Sequence, residues 1–338
     1  MSQVTADSLE SIVPALRNEH HALVPVKPIC SDLKTNNYIV AATSQNTRKA
    51  YRHDIQHFMA WGGLLPATPE IIVNYLQDHA EILNPRTLAR RLTALKNWHA
   101  YQGFSDPTHH PFIRKTLTGI HNIHGRPKEK APALTIEQLT QIANHLKQQD
   151  TLHASRNNAL LQVGFCGALR RSELVNIQCE HITFVPEGMV IIIPRSKTDQ
   201  GGEGQTCAIP YGDESLCAVM ALKNWCEKAG IHSGFVFRSI SRHQQVSDAP
   251  LTPRSINLII KSIAIECKLP DAEKFSGHSL RRGFATCASK SGASFVTIMR
   301  HGRWRHEGTV LGYIEEGQQF EDNAISIILK KNVQQQTG

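Results

Sequence analysis

The sequence predicts a mainly α-helical protein of two domains, with a small β-sheet or hairpin in the second. Three observations carry that reading. Between Ser44 and Asn97, apolar residues recur at helical spacing in three successive stretches. The segment 124–132, HGRPKEKAP, is charged, holds two prolines and has Ala131 as its one apolar side chain, which is the composition of a linker. Met189 to Pro194 is a β-branched run suited to a buried strand, followed by glycines and a second short apolar run. A chain of 338 residues suits two domains at about 100–200 residues each.

Composition narrows the class of partner. The net charge of +8 and a pI near 9.1 favour a polyanion. The longest strongly apolar run, Met189 to Ile193, is far too short to cross a bilayer, so no membrane partner is expected. The first residues, MSQVTADSLESIVPAL, lack a basic region followed by an apolar one, so no signal peptide is read and a cytoplasmic location is expected. The eight cysteines form no Cys-x-x-Cys pair and read as reduced thiols rather than a disulfide framework or a zinc site. His99, His109 and His110 read as part of a solvated loop rather than a metal site.

In chain order, residues 1–40 are polar, carry Pro14, Pro25 and Pro28, and read as an N-terminal arm. Ser44 is an N-cap for a helix that turns Tyr51, Ile55, Phe58 and Met59 inward and ends at Gly62 and Gly63. Arg48 and Arg52 share another of its faces. Pro69 starts a second helix with Ile72, Val73 and Leu76 inward. Asn84 and Pro85 start a third, with Leu88, Leu92 and Leu95 inward and Arg86, Arg90 and Asn97 outward. An arginine face over a leucine core suits phosphate, and equally suits plain solvation. These helices make one domain, 41–124, joined by a linker, 125–133, to a second domain, 134–338.

The second domain opens on a capping box, Thr135 with Gln138. An apolar helix, Ala159 to Phe165, leads into Gly167-Ala168-Leu169-Arg170-Arg171-Ser172-Glu173, where Glu173 is placed to pair with a guanidinium. The strand at 189–194 runs into Arg195-Ser196-Lys197-Thr198 and a glycine-rich tip, and returns as Cys207 to Pro210. The tip lacks Gly-Lys-Ser/Thr and is no nucleotide-binding loop. Leu216 to Cys226 is helical, and Thr252 caps a further helix with Arg254 in its first turn. From Ser276 to Tyr313, His278 and Arg281 lie on one helical face, a turn follows at Gly292, and Gly302-Arg303-Trp304 precedes a helix carrying Thr309 and Tyr313. An imidazole, a guanidinium, an indole N–H and a phenol make a donor set for an anionic oxygen, with one nucleophile. Past them, 320–331 carries Ile325, Ile328 and Leu329 at helical spacing.

Taken in order, the Arg170–Glu173 box, Lys197, His278-x-x-Arg281, Trp304 and Tyr313 nine residues later resemble the signature of the tyrosine recombinase, or phage integrase, family. Trp304, where most members carry His, and the Arg-Ser-Lys-Thr hairpin are similar to the Cre-like recombinases. The resemblance implies a two-domain C-shaped clamp, a helical SAM-like core-binding domain plus an α+β catalytic domain. It implies site-specific recombination through a 3′-phosphotyrosine intermediate and a Holliday junction. Tyr313 is then the nucleophile, Arg170 and Arg281 clamp the phosphate, His278 and Trp304 add hydrogen bonds, and Lys197 protonates the leaving 5′-oxygen. No metal or other cofactor is expected. The implied partner is double-stranded DNA, bound by a homo-tetramer on two sites that assembles from monomers, in a prokaryotic cell or from a phage gene. Arg48, Arg52, Arg86 and Arg90 are candidates for the backbone, and Arg254 for the major groove. Relaxation of DNA in the manner of a type IB topoisomerase and DNA binding without catalysis are the competing readings.

Overall fold

The computed structural model describes residues 42–127, 129–194, 204–317 and residue 325. Among these, no helix is long and apolar enough to cross a membrane. The chain divides at 128/129 into two compact units.

Among the described residues the first unit holds four α-helices: α1 (Gln45–Ala60), α2 (Pro69–Asp78), α3 (Pro85–Gln102) and α4 (Pro111–His124). Each start has a local cause. Ser44 Oγ accepts the Thr47 N–H, Thr68 caps α2 and Asn84 Oδ1 accepts the Arg86 N–H. Proline fills the first position of α2, α3 and α4, where no backbone donor is lost. Gly103, at φ 79°, takes the left-handed turn that ends α3. The apolar stripes meet in a core of Phe58, Ile72, Tyr75, Leu76, Leu88, Leu92, Leu95, Ile113 and Ile120.

That core also encloses charge. Asp54 is buried and receives Arg90 bidentately, Nε to Oδ2 and Nη2 to Oδ1, both at 2.8 Å. Arg91, also buried, lies 3.6 Å from the same carboxylate. Its Nη1 donates to the Tyr75 hydroxyl at 2.6 Å and to His57 Nδ1 at 2.7 Å. Burial, and then the Arg91 charge beside it, push the His57 imidazole down, which suits an acceptor ring. His99 is buried too and accepts the Ala67 N–H at 2.9 Å, so it belongs to packing and not to a loop with His109 and His110.

The second unit is built around α6 (Leu152–Cys166), buried on every side, in keeping with its lack of a polar face. Packed against it are α5 (Ile136–Gln148), opened by the Thr135–Gln138 box, α8 (Ala218–Lys228) and α10 (Gly277–Lys290). The described residues also form the short α7 (Arg171–Val175) and α9 (Pro253–Glu266), α11 (Phe295–Gly302) and α12 (Glu307–Gly317). The expected hairpin is present and gains a further strand, making a three-stranded antiparallel sheet. Strand β1 (Ile182–Val185) pairs with β2 (Gly188–Ile193), which pairs with β3 (Gln205–Pro210) in the register Met189↔Ile209 and Ile191↔Cys207. A second hairpin joins β4 (Arg238–Ile240) and β5 (Val246–Pro250). The inward faces of β2 and β3 bury Met189, Ile191, Ile193, Cys207 and Ile209 against the helical core. Arg282 Nη1 donates to the Ala131 carbonyl at 2.7 Å and Leu134 N–H to Ser279 O at 3.1 Å, which fixes the entry of the chain into this unit.

The charge knot of the first unit makes a stability prediction. Asp54→Ala would leave Arg91 buried without a counter-charge. Breaking one side of a buried pair costs about 3 kcal/mol or more. Urea denaturation of the Asp54→Ala protein should therefore show the first unit unfolding well below the second. A midpoint equal to the wild type's would contradict the buried placement of the knot.

Candidate active site

The site gathers at the C-terminal end of α6. The chain leaves that helix through Gly167 and then Ala168, whose φ of 45° is left-handed. This turn presents Arg170 as the residue before α7. Glu173, one turn on, is buried, and it binds back to the turn: Oε2 accepts the Arg170 N–H at 2.9 Å and Oε1 meets Arg170 Nη1 at 2.5 Å. Of the two consecutive arginines, Arg170 makes this pair, while the Arg171 stem lies against Gly277 at the start of α10.

Helix α10 supplies His278 and Arg281. Ser276 caps it, with Oγ accepting the His278 N–H at 3.3 Å. His278 is exposed in the first turn; Arg281, one turn on, is buried. Arg281 donates from Nη1 to the Ala168 carbonyl and from Nη2 to the Gly302 carbonyl. Its guanidinium carbon sits 4.0 Å from the centre of the Trp304 ring, a cation–π contact. Trp304 folds so closely over Gly302 that an added Cβ there would lie 1.6 Å from the indole, so only glycine fits. Tyr313, on α12, meets the indole edge-on, ring centres 6.3 Å apart at 67°, and Arg282 lies 5.7 Å from the phenol ring. Thr286 Oγ1 donates to the Tyr313 carbonyl at 3.1 Å, tying α12 to α10. Beneath, Ala285, Ile298 and Val310 form a small separate core.

The composition of the residues does not disclose Arg303. It is buried, with φ 54° and ψ 43°, in the left-handed turn that ends α11. A side chain in that conformation costs roughly 1–2 kcal/mol. Its Nη1 donates to His301 O at 2.7 Å, its Nη2 to Gly167 O at 2.9 Å, and Nη2 lies 3.6 Å from Glu173 Oε2. The Arg303 carbonyl in turn accepts from Arg170 Nη2 at 3.4 Å. His301 stacks on Phe284 and meets the Cys166 carbonyl at 2.6 Å. Arg303 has no sequence signal beyond a charged side chain between a glycine and a tryptophan, and His301 none beyond an imidazole beside that glycine.

Two guanidiniums, of Arg170 and Arg303, thus meet one carboxylate, and a third, of Arg281, lies nearby without an acid of its own. Burial alone would raise the Glu173 carboxyl, but the Arg170 N–H, the Arg170 guanidinium and Arg303 outweigh it and hold it below the ordinary range. Burial, and then the neighbouring Arg170 charge, push the Arg281 guanidinium down to about 9, so it stays protonated at neutral pH. The surplus positive charge is held by rigid donors in a place largely closed to water, which favours an anion with several oxygens.

The remaining candidates fall elsewhere. Lys197, and the tail stripe except for Ile325, lie outside the described residues. Arg52, Arg86 and Arg254 are exposed. Arg86 donates to the Arg126 carbonyl at 3.4 Å and Arg48 to the Thr43 carbonyl. Arg90 does not stand free on the arginine face, because buried Asp54 takes two of its donors. Among the described residues no group of three His, Cys, Asp or Glu side chains is arranged to hold a metal.

The depressed Glu173 carboxyl sets a pH dependence. A group whose folded pKa is lowered contributes stability that is complete above its unfolded value, about 4.3, and is lost as the pH falls through the folded value. Glu173→Gln should therefore be less stable than wild type at pH 7, by about 3 kcal/mol for a broken buried pair. The gap should close as the pH is lowered through the carboxylate range, which denaturation midpoints from neutral to acid pH will show.

Residues 132–319 match the model of the phage integrase family. The integrase/recombinase xerD homolog of Selenomonas ruminantium is 40% identical over 308 residues, covering 88% of this chain and 90% of that protein. The recombinase cre of Escherichia phage P1 is 24% identical over 295 residues, covering 81% and 84%. In fold, the chain is similar to the XerH site-specific recombinase in its post-cleavage complex with difH substrate, at a TM-score of 0.58 and 16% identity over 83% of this chain and 79% of that one. It is also similar to the Tn1549 transposon integrase in complex with circular intermediate DNA, at 0.57 and 15% over 83% and 92%. With the family match spanning more than half of its length, the chain belongs to the phage integrase family, the tyrosine recombinases that break and rejoin DNA.

Proposed function

We propose that this recombinase acts on duplex DNA through Tyr313. The observation that supports this most is the Trp304 indole standing between Arg281 on its face and Tyr313 at its edge. A phosphodiester is protected from attack by its own negative oxygens. Catalysis is therefore mostly positioning and charge stabilisation. Arg170 and Arg281 bind the two non-bridging oxygens, with His278 and the Trp304 N–H as further donors. The Tyr313 oxygen attacks phosphorus and gives up its proton, with His278 as the acceptor. The bond to the 5′-oxygen breaks, and that oxygen leaves with a proton from Lys197. The product is a 3′-phosphotyrosine, which keeps the ester energy. The 5′-hydroxyl of another strand then reverses the step without ATP. Two strands exchanged in turn pass through a Holliday junction, for which four subunits on two DNA sites are required. The exposed Arg52, Arg86 and Arg254 are the proposed DNA contacts, and Arg90 serves the first unit's core.

The test starts from a duplex that the protein itself selects from a randomised pool. On a nicked form of it, wild type should leave a covalent protein–DNA band on a denaturing gel, and Tyr313→Phe should bind as tightly and leave none. A plasmid carrying two copies should give deletion or inversion products; relaxation alone would point to a topoisomerase. Because guanidiniums supply the positive charge, cleavage should continue in EDTA. Lys197→Ala should cleave slowly, and a 5′-bridging phosphorothiolate, whose leaving group needs no proton, should restore its rate. Equal defects on both substrates would remove Lys197 as the acid.

A further inference from the structure

We infer that Arg303 is a positioning residue for DNA cleavage: it ties the turn carrying Arg170 to the turn carrying Trp304. This rests on the recombinase reading above and goes beyond it.

Three observations carry the inference. The first is the backbone. Arg303 occupies the position after α11 where its N–H bonds to Arg300 O at 3.1 Å and the next N–H, of Trp304, to Met299 O at 3.1 Å. This left-handed position suits glycine, yet an arginine fills it. The second is the direction of the side chain. A cation at a helix end is ordinarily placed in water, but this one is buried against Gly167 O, His301 O and the Glu173 carboxylate, and its Nε has no partner. Glu173 is the one carboxylate within ion-pair distance of it among the described residues. The nearby Cys207 thiol is pushed up by burial and stays neutral, so it offers no second counter-charge.

The third is reciprocity. Arg303 holds the Gly167 carbonyl and Glu173; Glu173 holds Arg170; Arg170 reaches back to the Arg303 carbonyl. The loop closes across 133 to 136 positions of sequence. Trp304 is the next residue, so the same clasp that orients Arg170 fixes the indole between Arg281 and Tyr313. Loss of the side chain frees both turns, and a misplacement of about 1 Å lowers a rate by about 100-fold. It also removes a positive charge beside Glu173, whose carboxyl then protonates at higher pH and releases Arg170.

Arg303→Gly isolates the side chain, because glycine adopts the left-handed turn without strain. Arg303→Lys keeps the charge and loses the fork. Adduct formation is followed by single turnover from pH 4 to 9 on the nicked selected duplex, beside gel-shift affinity and thermal denaturation. Arg303→Gly should fold and bind DNA within about threefold of wild type, cleave about 100-fold more slowly, and lose activity at a higher pH on the acid side. Arg303→Lys should return the acid limb toward that of wild type while recovering only part of the rate. If Arg303→Gly cleaves as wild type does, or slows without any movement of the acid limb in either variant, Arg303 is packing and the inference falls. A wild-type protein that forms no adduct overturns the recombinase reading itself, and this inference with it.

Discussion

The second unit depends on one buried carboxylate. Glu173 is the only acid among the described residues within ion-pair reach of Arg170 and Arg303. Moving an ion from water into the interior costs several kcal/mol after relaxation. A carboxylate that meets two guanidiniums and a backbone N–H recovers that cost, and the guanidiniums recover part of theirs. Since Arg281, third of the group, lacks its own acid and rests on carbonyls and an indole face, the balance stays positive. A site that is short of negative charge and already desolvated is complete only with an anion.

The carbonyls that hold Arg281 belong to strained or glycine-bearing turns. Ala168 is left-handed, and Gly302 admits no side chain under Trp304. The left-handed conformation of Ala168 costs of order 1–3 kcal/mol and persists where neighbours over-determine it. Here the neighbours are the arginines. The turns aim carbonyls at guanidiniums, and the guanidiniums hold the turns. The donors are thereby fixed before the substrate arrives, so little reorganisation remains for the moment of reaction.

The sequence discloses local causes well and cooperative ones poorly. Ser44, Asn84 with Pro85, Thr135 with Gln138, and Thr252 announce helix starts, because a cap is made by residues two or three apart. Strand β2 announces itself by its β-branched run. Strand β1, Ile-Thr-Phe-Val, is four residues long, and β4 and β5 are three and five residues without alternation, so their pairing shows only once a partner lies alongside. Asp54 looks like any polar residue on an exposed helical face, and its burial depends on Arg91, 37 positions on by the numbering. Of the site, His278, Arg281, Trp304 and Tyr313 share one stretch and can be read together. Arg303 cannot, because the left-handed turn and the acid that give it meaning lie in the fold and not in its neighbours.

Both units use the same device, an acid shared by two arginines, and the difference between them separates structure from function. In the first unit the acid is Asp54. Of its arginines, Arg91 is further met by Tyr75 and His57, and Arg90 keeps half of its side chain in water. Whatever charge is left over is hydrated, and nothing more is needed. In the second unit the surplus sits on Arg281, which is buried, beside a phenol and an indole. No solvent answers it there. The excess therefore marks where a ligand belongs, and the closed knot of the first unit marks where none does. Read alone, a buried arginine says little about function; the charge left unanswered after its partners are counted says much more.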